Sequence, residues 1–595
     1  MADIQKFAVY DSRIVQSKPK YAVYKGSASN STTLFNAISQ TASQHTYNVQ
    51  VPSPNTFIDR SLTWQSTPTL QFSVSVPVGA LAGEPVARPG RDFALSPFPL
   101  HSTLTSMQAT INDCNVSIDT QTVLNEVLRL ADYKEMRKQR TCPTQLDRYQ
   151  SYNSSAGFIN SSIAGYNDSP DSTEVHRGAW PLVFTDPNGV PLVAGATPAY
   201  AGALYNADAN AVPVLINPVV GVPQAVPLYV QFTSFEKLVL SPFVFGETYE
   251  YEDCGLYGID NIQLTFVVGS PARLIRNAVV APWNRTISAV QFLSALPFQN
   301  SSITCNFLTP ALDLPLPVKS VVPYMEYPRY PQQVAISALA NGATTTLTAN
   351  AITLPYIPDY IVMYVKPQAY TQQQGDFYLP VDRVSIQFDN VTGLLSSHRP
   401  HQLYSYAIKN GLDMDWLQWA GLATSSQIGA VVPTCGGFLV LRPGIDFALS
   451  EGLAPGVVGQ FVMNYDLTVR NNTGASLSGN FTLTTMLVGS GFMESVSGSS
   501  RLVRGGLTMA EVLSAPLAPE APTRSDLARM VGGQGIFGKV ANALSKVKDV
   551  YDKAKPIVGA LKDRLPEKAK SALSRMGAGQ SGGARTGGRM ADRLL

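Results

Sequence analysis

Apolar and polar residues alternate with a period of two through one segment after another of this chain, the pattern of strands with one face buried and one solvated. Leu70, Phe72, Val74, Val76 and Val78 form one such face. In residues 261–269, Ile262, Leu264, Phe266 and Val268 point one way while Asn261, Gln263 and Thr265 point the other. The same reading applies to Tyr360, Val362 and Tyr364, to Val384, Ile386 and Phe388, and to Phe461, Met463, Tyr465, Leu467 and Val469. Turn residues separate these runs at the spacing of sandwiches and barrels. Helical periodicity is scarce. One candidate spans 121–139, where Leu124, Val127, Leu128 and Ala131 share a face and Lys/Arg residues close the C-terminal end. A second, short, lies near Leu412–Trp419. Many strands and few helices, without β–α alternation, predict an all-β protein.

Six prolines, Pro310, Pro315, Pro317, Pro323, Pro328 and Pro331, fall within 22 residues between two strand-rich halves, where neither a helix nor a central strand can persist. The chain has 595 residues, and single cores stop growing near roughly 250–300 residues, so two large domains are expected with their junction at these prolines. The predicted organisation is an extended, flexible N-terminal arm over 1–45, rich in Ser, Thr, Gln and Asn, then a first domain over 46–308 and a second over 309–505. A linker over 506–533 and a tail over 534–595 follow. The first domain carries a long loop insertion at about 150–235. Within it, residues 187–235 hold a single charged side chain, Asp208, and are expected to pack against a neighbour. An internal match joins Arg88-Pro-Gly-Arg-Asp-Phe-Ala-Leu-Ser96 to Arg442-Pro-Gly-Ile-Asp-Phe-Ala-Leu-Ser450, identical at eight of nine positions. It points to duplicated turn chemistry, not to equivalent places in a repeated fold.

Charge sharpens this picture. Asp, Glu, Lys and Arg make up 14% of the chain, against roughly 25% in an average soluble domain, so much of the surface is expected to face protein rather than water. The net charge of +2 divides unevenly: residues 534–595 hold 13 Lys+Arg and 5 Asp+Glu, net +8, leaving −6 on the rest. No signal peptide is read at Met1, and the most apolar stretch, 211–230, is broken by Pro213, Pro218, Pro223 and Pro227, which excludes a spanning helix. Synthesis in the cytosol is the expectation. Five scattered cysteines, with no C-x-x-C pair, argue for buried thiols rather than zinc or disulfides.

Several short segments form an ordered set. In the first half these are Val51-Pro-Ser-Pro-Asn-Thr-Phe-Ile-Asp-Arg60, Phe98-Pro-Leu-His101 followed by Ile111-Asn112, and Cys142-Pro-Thr-Gln-Leu-Asp147. In the second they are Phe307-Leu-Thr-Pro310, Val322-Pro-Tyr-Met-Glu-Tyr-Pro-Arg-Tyr330, Leu403-Tyr-Ser-Tyr406, Lys409-Asn-Gly-Leu412 and Gly505-Gly-Leu-Thr508 with Val512-Leu513. Taken in order, they resemble double jelly-roll major capsid proteins, with the flavour of those of polinton-like viruses, adintoviruses and virophages. The resemblance implies two tandem eight-stranded jelly rolls per subunit, both upright on an icosahedral virion shell around a DNA genome. It implies a homotrimer forming a pseudo-hexagonal capsomer, neighbouring capsomers, minor capsid proteins, and a separate single jelly-roll penton protein at the five-fold vertices.

The family also encodes an adenovirus-type cysteine protease whose sites resemble Met/Ile/Leu-x-Gly-Gly, and Met530-Val531-Gly532-Gly533 followed by Gln534 fits that pattern where the net charge changes sign. Two glycines let an extended segment lie flat in a narrow cleft. A plain flexible linker is the competing reading. Beyond it, Phe537, Val540, Leu544, Val547 and Tyr551 recur at helical spacing, a basic amphipathic helix ended by Pro556. A scaffold helix docking on the inner shell, a binder of nucleic acid or membrane surface, and a solvated helix without function all fit it. Any contact of this tail with packaged DNA would be electrostatic and not sequence-specific.

Enzymatic chemistry finds little support. No phosphate-binding loop or H-E-x-x-H motif occurs, and the one G-x-S-x-G match, Gly579–Gly583, sits in the Gly/Arg-rich tail. His398 with His401 reads as surface histidine rather than metal ligand. Glu250, Glu252 and Asp253, and Asp413 with Asp415, read as solvated or inter-subunit groups rather than acid/base pairs. Trp416 and Trp419, three apart, suit an anchored helix face better than a sugar platform. No cofactor or metal is expected. The alternatives are a double jelly-roll glycosidase-like enzyme and a lectin-like binding module.

Overall fold

The computed structural model of the chain describes residues 22–23, 27–53, 56–130, 141–142, 144, 146–152, 182–197, 202–243, 254–279, 283–310, 320–424, 431–450, 453–504 and 507–508. They belong to one compact unit, 9–517, built as two barrels in tandem.

The first barrel uses β1 (Ser27–Gln40), β2 (Gln44–Gln50), β3 (Thr63–Ser66), β4 (Thr69–Val76), β5 (Leu104–Ile111), β6 (Cys114–Ile118), α1 (Thr120–Leu130), β7 (Leu182–Thr185), β8 (Gln224–Phe232), β9 (Ser234–Lys237), β10 (Asn261–Val268), β11 (Thr286–Phe292) and β12 (Ser302–Pro310). One sheet runs β12-β1-β2-β10-β5-β6, with β3 joined to β9 and β12. The facing sheet runs β7-β8-β4-β11. Alternate residues of both enter the core, as the period of two dictates: Leu70, Phe72, Val74 and Val76 are buried on β4, as are Ile262, Leu264 and Phe266 on β10. Val78, read on the same face, lies past the strand end and is exposed.

Trp64 fills the centre of this barrel against Phe266 and Phe298, with ring centroids 4.7 and 5.0 Å away. Its Nε1 donates to Tyr47 Oη and Ser301 Oγ, at 3.1 and 3.0 Å. His45 lies edge-on to Phe298, fully buried, and neither ring nitrogen finds a hydrogen-bond partner among the described residues. Burial pushes its pKa down to about 4 from 6.5. The unfolded chain therefore takes up a proton between pH 6.5 and about 4 that the folded one refuses, and stability falls across that window. A His45→Phe variant should lose about 2 kcal/mol less than the wild type between pH 7 and pH 5. Parallel urea titrations at the two pH values check this, and equal losses would refute it.

A second buried centre holds Glu236. Its Oε1 accepts from Leu100 N and Ser234 Oγ (2.9 and 2.8 Å), and its Oε2 from His101 N and Nδ1 (3.1 and 2.6 Å). His101 Nε2 accepts from Val239 N at 3.3 Å, which places the ring proton on Nδ1. Phe98 takes a left-handed conformation, φ 50°, at the start of the helical turn Pro99–Ser102, and so turns these N–H groups onto the carboxylate.

The second barrel uses β13 (Ser320–Glu326), β14 (Arg329–Leu339), β15 (Thr344–Thr348), β16 (Ile352–Tyr356), β17 (Tyr360–Pro367), β18 (Val381–Phe388), β19 (Val391–Leu394), α2 (Pro400–Lys409), α3 (Trp416–Trp419), β20 (Leu439–Leu441), β21 (Val457–Arg470), β22 (Leu477–Val496) and β23 (Ser499–Arg504). Here β13 and β14 pair with successive stretches of β22, and β15 and β16 with successive stretches of β21, so each couple acts as one strand. Counted that way, the eight strands lie in the orders 1-8-3-6 and 2-7-4-5, the two Greek keys of a jelly roll. Val384, Ile386 and Phe388 on β18 and the alternate residues Phe461–Val469 on β21 point inward as read.

Three sequence expectations change in detail. Residues 27–40, read within a flexible arm, are extended but built into the sheet between β12 and β2. The segment 187–235, read as one long loop, ends in β8, whose Val226, Leu228, Val230 and Phe232 are core residues. Pro227 is tolerated there because β7 pairs only with residues 229–232 and leaves that side of Pro227 open. In the proline-rich junction, strands do form: Pro323 and Pro331 sit on β13 and β14, both at the sheet edge, where a missing N–H costs nothing. The helix read over 121–139 is seen as Thr120–Leu130, with 131–140 outside the described residues.

The turn of the duplicated nonapeptide closes the same way in both barrels, although Phe93–Leu95 then forms a short strand and 447–449 does not. Asp92 Oδ2 accepts from Arg88 N at 2.9 Å and Asp446 Oδ2 from Arg442 N at 2.7 Å. Gly90 and Gly444, both at φ 75°, supply the left-handed step of each turn.

Candidate assembly site

Among the described residues, the most elaborate polar construction is the seam between the barrels. The segment 147–152 threads it. Asp147, wholly buried, accepts from Arg276 Nη1 (2.6 Å), Tyr152 Oη (2.7 Å) and the Asp376 backbone N–H (2.7 Å), while its own carbonyl accepts from Arg129 Nη2 (2.7 Å). Arg276 and Arg129 belong to the first barrel and Asp376 to the second, so one carboxylate ties both. Backbone bonds run alongside: Tyr152 N to Gln373 O at 3.0 Å, Gly375 N to Gln150 O at 2.7 Å, and Asn277 N to Gln372 O at 2.8 Å.

Helix α1 supplies the next layer. Glu126, fully buried, accepts from Tyr378 Oη at 2.9 Å and pairs with Lys366 of β17, while Asn125 Nδ2 donates to Tyr378 Oη at 2.8 Å. Arg273 pairs with Asp376 at 2.9 Å and stacks on the Tyr370 ring at 4.3 Å. Burial alone would raise the Asp376 carboxyl, but Arg273, Arg276, Lys366 and Arg129 around it hold it below the ordinary carboxylate range. Burial, reinforced by Glu126, drives the Tyr378 hydroxyl well above its usual value.

A latch closes the far end of the seam. The β5–β6 hairpin presents Asp113, which accepts from Ser500 N at 2.7 Å and Ser499 Oγ at 3.0 Å, and Asn112, whose Nδ2 donates to Ser500 Oγ at 2.8 Å. The β22–β23 turn approaches so closely that a Cβ on Gly498 would lie 2.4 Å from Asp260 Oδ2. Asp119 with Arg329, and Ser241 Oγ accepting from Met325 N at 2.9 Å, add further ties. Bonds of this density between two folded barrels fix their relative orientation, because rotation about the seam would strand several buried charges at once.

Among the described residues, none of the sequence-read chemical groups is brought into a reactive site. Met530, Val531, Gly532, Gly533 and Gln534 lie outside the described residues. So do the helix-face positions Phe537, Val540, Leu544, Val547 and Tyr551, and Glu250, Glu252 and Asp253. Asp415 caps α3 by accepting from Gln418 N. Trp419 is buried and donates to Phe438 O at 3.0 Å, whereas Trp416 stacks on it and stays 40% exposed, an anchored helix face. His398 bonds Tyr406 Oη at 3.1 Å. Among the described residues there is no cluster of three potential metal ligands, and no helix is long and apolar enough to cross a membrane. A groove of about 300 Å³ beside Arg329, Gln332, Asn350, Tyr465 and Thr485 has no carboxylate, histidine or cysteine in its lining. Cys305 and Cys435 are buried thiols, and the buried Cys142 Sγ donates to Ser96 O at 3.4 Å.

Sequence reasoning missed the seam. Its charges come from positions 126 to 376 and share no local motif. The one signal on offer was the Cys142–Asp147 stretch, which belonged to the capsid resemblance and ends on the central carboxylate.

Comparison with known proteins agrees with this architecture. The family model described as the Sputnik virophage major capsid protein first domain matches residues 2–308, and the major capsid protein V20 C-terminal domain matches 327–491. A Sputnik virophage protein described as "Putative capsid protein V20" is 24% identical over 98% of this chain and 95% of its own length. The cryo-EM structure of the Sputnik virophage superposes with a TM-score of 0.68 at 23% identity, covering 89% of this chain and 98% of that one. The crystal structure of the mavirus major capsid protein gives 0.60 at 12% identity, covering 87% and 99%. With the first model spanning more than half of the chain, and both barrels matched in order, this protein belongs to the virophage-type major capsid proteins, structural double jelly rolls of the virion rather than enzymes.

Proposed function

We propose that the chain is the repeating tile of an icosahedral shell around a DNA genome, three copies closing into a pseudo-hexagonal capsomer. The observation that carries this reading is the seam: two similar barrels held in one orientation by buried charges give six comparable walls when three chains meet. Such a ring fills sites of six-fold surroundings with three-fold chemistry. Capsomer contacts can each be weak because a closed shell multiplies them. Mass photometry of the purified full chain tests the reading. The expected mass is three times that of the chain, and a stable monomer at micromolar concentration would speak for the glycosidase-like or lectin-like alternative.

Around this tile the reading places a single jelly-roll penton protein at the vertices, minor capsid proteins, and a viral cysteine protease acting after Gly533. The basic tail beyond Gln534 serves assembly on the inner face and touches DNA non-specifically until it is removed. Peptide mass spectrometry of mature particles should find chains ending at Gly533. Intact peptides spanning 530–538 as the main species would eliminate the cleavage.

A further inference from the structure

We infer that the outer face of the first barrel's larger sheet is a self-association surface whose occupant is a second copy of this chain. The inference rests on the tile reading above and specifies which wall of the tile is shared. Six adjacent strands, β12, β1, β2, β10, β5 and β6, contain no Asp, Glu, Lys or Arg. Their outward side chains form uncharged rows across the sheet. Ser117, Gln108 and Thr265 stand in register in one row, which ends at the buried Thr46, and Asn115, Thr110, Gln263 and Asn48 stand in the next. Lateral bonds between neighbours, Thr110 Oγ1 to Asn115 Oδ1 at 2.7 Å and Thr32 Oγ1 to Asn306 Oδ1 at 2.8 Å, already satisfy part of this polarity. Two aliphatic side chains stand among them: Leu34 is 60% and Ile38 65% exposed, while Phe35 and Ala37 between them turn inward to the core.

An open sheet face on a free protein normally carries charge, which keeps it soluble and deters unwanted partners. The second barrel follows that rule, with Asp382, Arg383, Asp466 and Arg470 on β18 and β21. The six strands above do not, since the charges of the larger sheet, Asp59, Glu236 and Lys237, lie beyond its β12 edge, and depletion of charge is the mark of an interface core. Six strands spaced by about 4.8 Å and roughly 25 Å long present on the order of 700 Å², close to the roughly 800 Å² per partner of a stable interface. A face without charge offers nothing to a polyanion or to the +8 tail. It does fit an uncharged counterpart, and every copy carries one, since β7, β8, β4 and β11 also lack charged residues.

Sedimentation velocity of the full chain, compared with the double variant Leu34→Lys/Ile38→Lys, tests the surface. The double variant should self-associate at least ten-fold more weakly than the wild type with an unchanged melting midpoint, because both positions are exposed. Val462→Lys, on the outer face of the second barrel, should associate as the wild type does. If the double variant melts early, Gln108→Lys on the same face is read in its place and should weaken association equally. An oligomer indifferent to these changes overturns the surface while leaving the tile intact, and a wild type that never associates overturns both. Hydroxyl-radical labelling separates occupants: protection of Leu34 and Ile38 that appears only as the protein associates supports a second copy, and protection in the monomer overturns it.

Discussion

Asp147→Ala is expected to split the unfolding of this protein into two transitions and to remove about 3–5 kcal/mol from the less stable one. The carboxylate is wholly buried and collects an arginine, a tyrosine hydroxyl and a backbone N–H from both sides of the seam. Removing one partner of a buried charged pair costs far more than the pair contributes net, because the remaining charge keeps its desolvation penalty. Arg276 would keep its position and lose its carboxylate. The barrels would still be joined by Glu126 with Lys366 and Tyr378, by Arg273 with Asp376, by the latch and by the backbone bonds of 150–152, but the seam would be weakened more than either core, so that the two barrels unfold apart. Scanning calorimetry reads this directly: one endotherm for the wild type and two for the variant. A single endotherm at the wild-type temperature would show that the seam does not couple the barrels.

Glu236→Ala carries the second large effect, confined to the first barrel. Four donors converge on that fully buried carboxylate: Leu100 N, His101 N, His101 Nδ1 and Ser234 Oγ. Alanine supplies none of the missing acceptors, and each buried donor left without one costs about 1–3 kcal/mol, so a loss of about 4 kcal/mol follows after local relaxation. Glu236→Gln keeps one acceptor oxygen but aims an NH₂ group at a site built for acceptors, and should fall between alanine and wild type. Equilibrium urea unfolding decides it. A loss under 1 kcal/mol for the alanine variant would mean that water reaches the site.

Both effects arise where the sequence was hardest to read. Strands such as β10 and β21 announce themselves because one face meets water and the other the core, so polarity alternates. β8 hides because Pro223 precedes it, Pro227 interrupts it and no charge marks its outer face. β1 hides because its outward residues, Asn36 and Ile38 among them, mix polarity freely on a wall that carries no charge. The seam is invisible locally because Glu126, Asp147, Arg276, Lys366 and Asp376 meet only through the packing of two barrels. The nonapeptide pair at Arg88 and Arg442 shows the opposite case: a short motif with its own hydrogen bonds closes the same turn in both places. The proposed cleavage site and tail helix rest on sequence pattern and charge alone and lie outside the described residues.

A double jelly roll works as a tile only if its two barrels present fixed walls to neighbouring copies. Cryo-EM of the purified protein assembled into capsomers measures that most directly. Six barrel densities in a ring of three-fold symmetry, with the barrel-to-barrel angle within each chain unchanged from particle to particle, is the predicted result. Rings of any other stoichiometry, or barrels that sample a range of angles about the 147–152 seam, would contradict it.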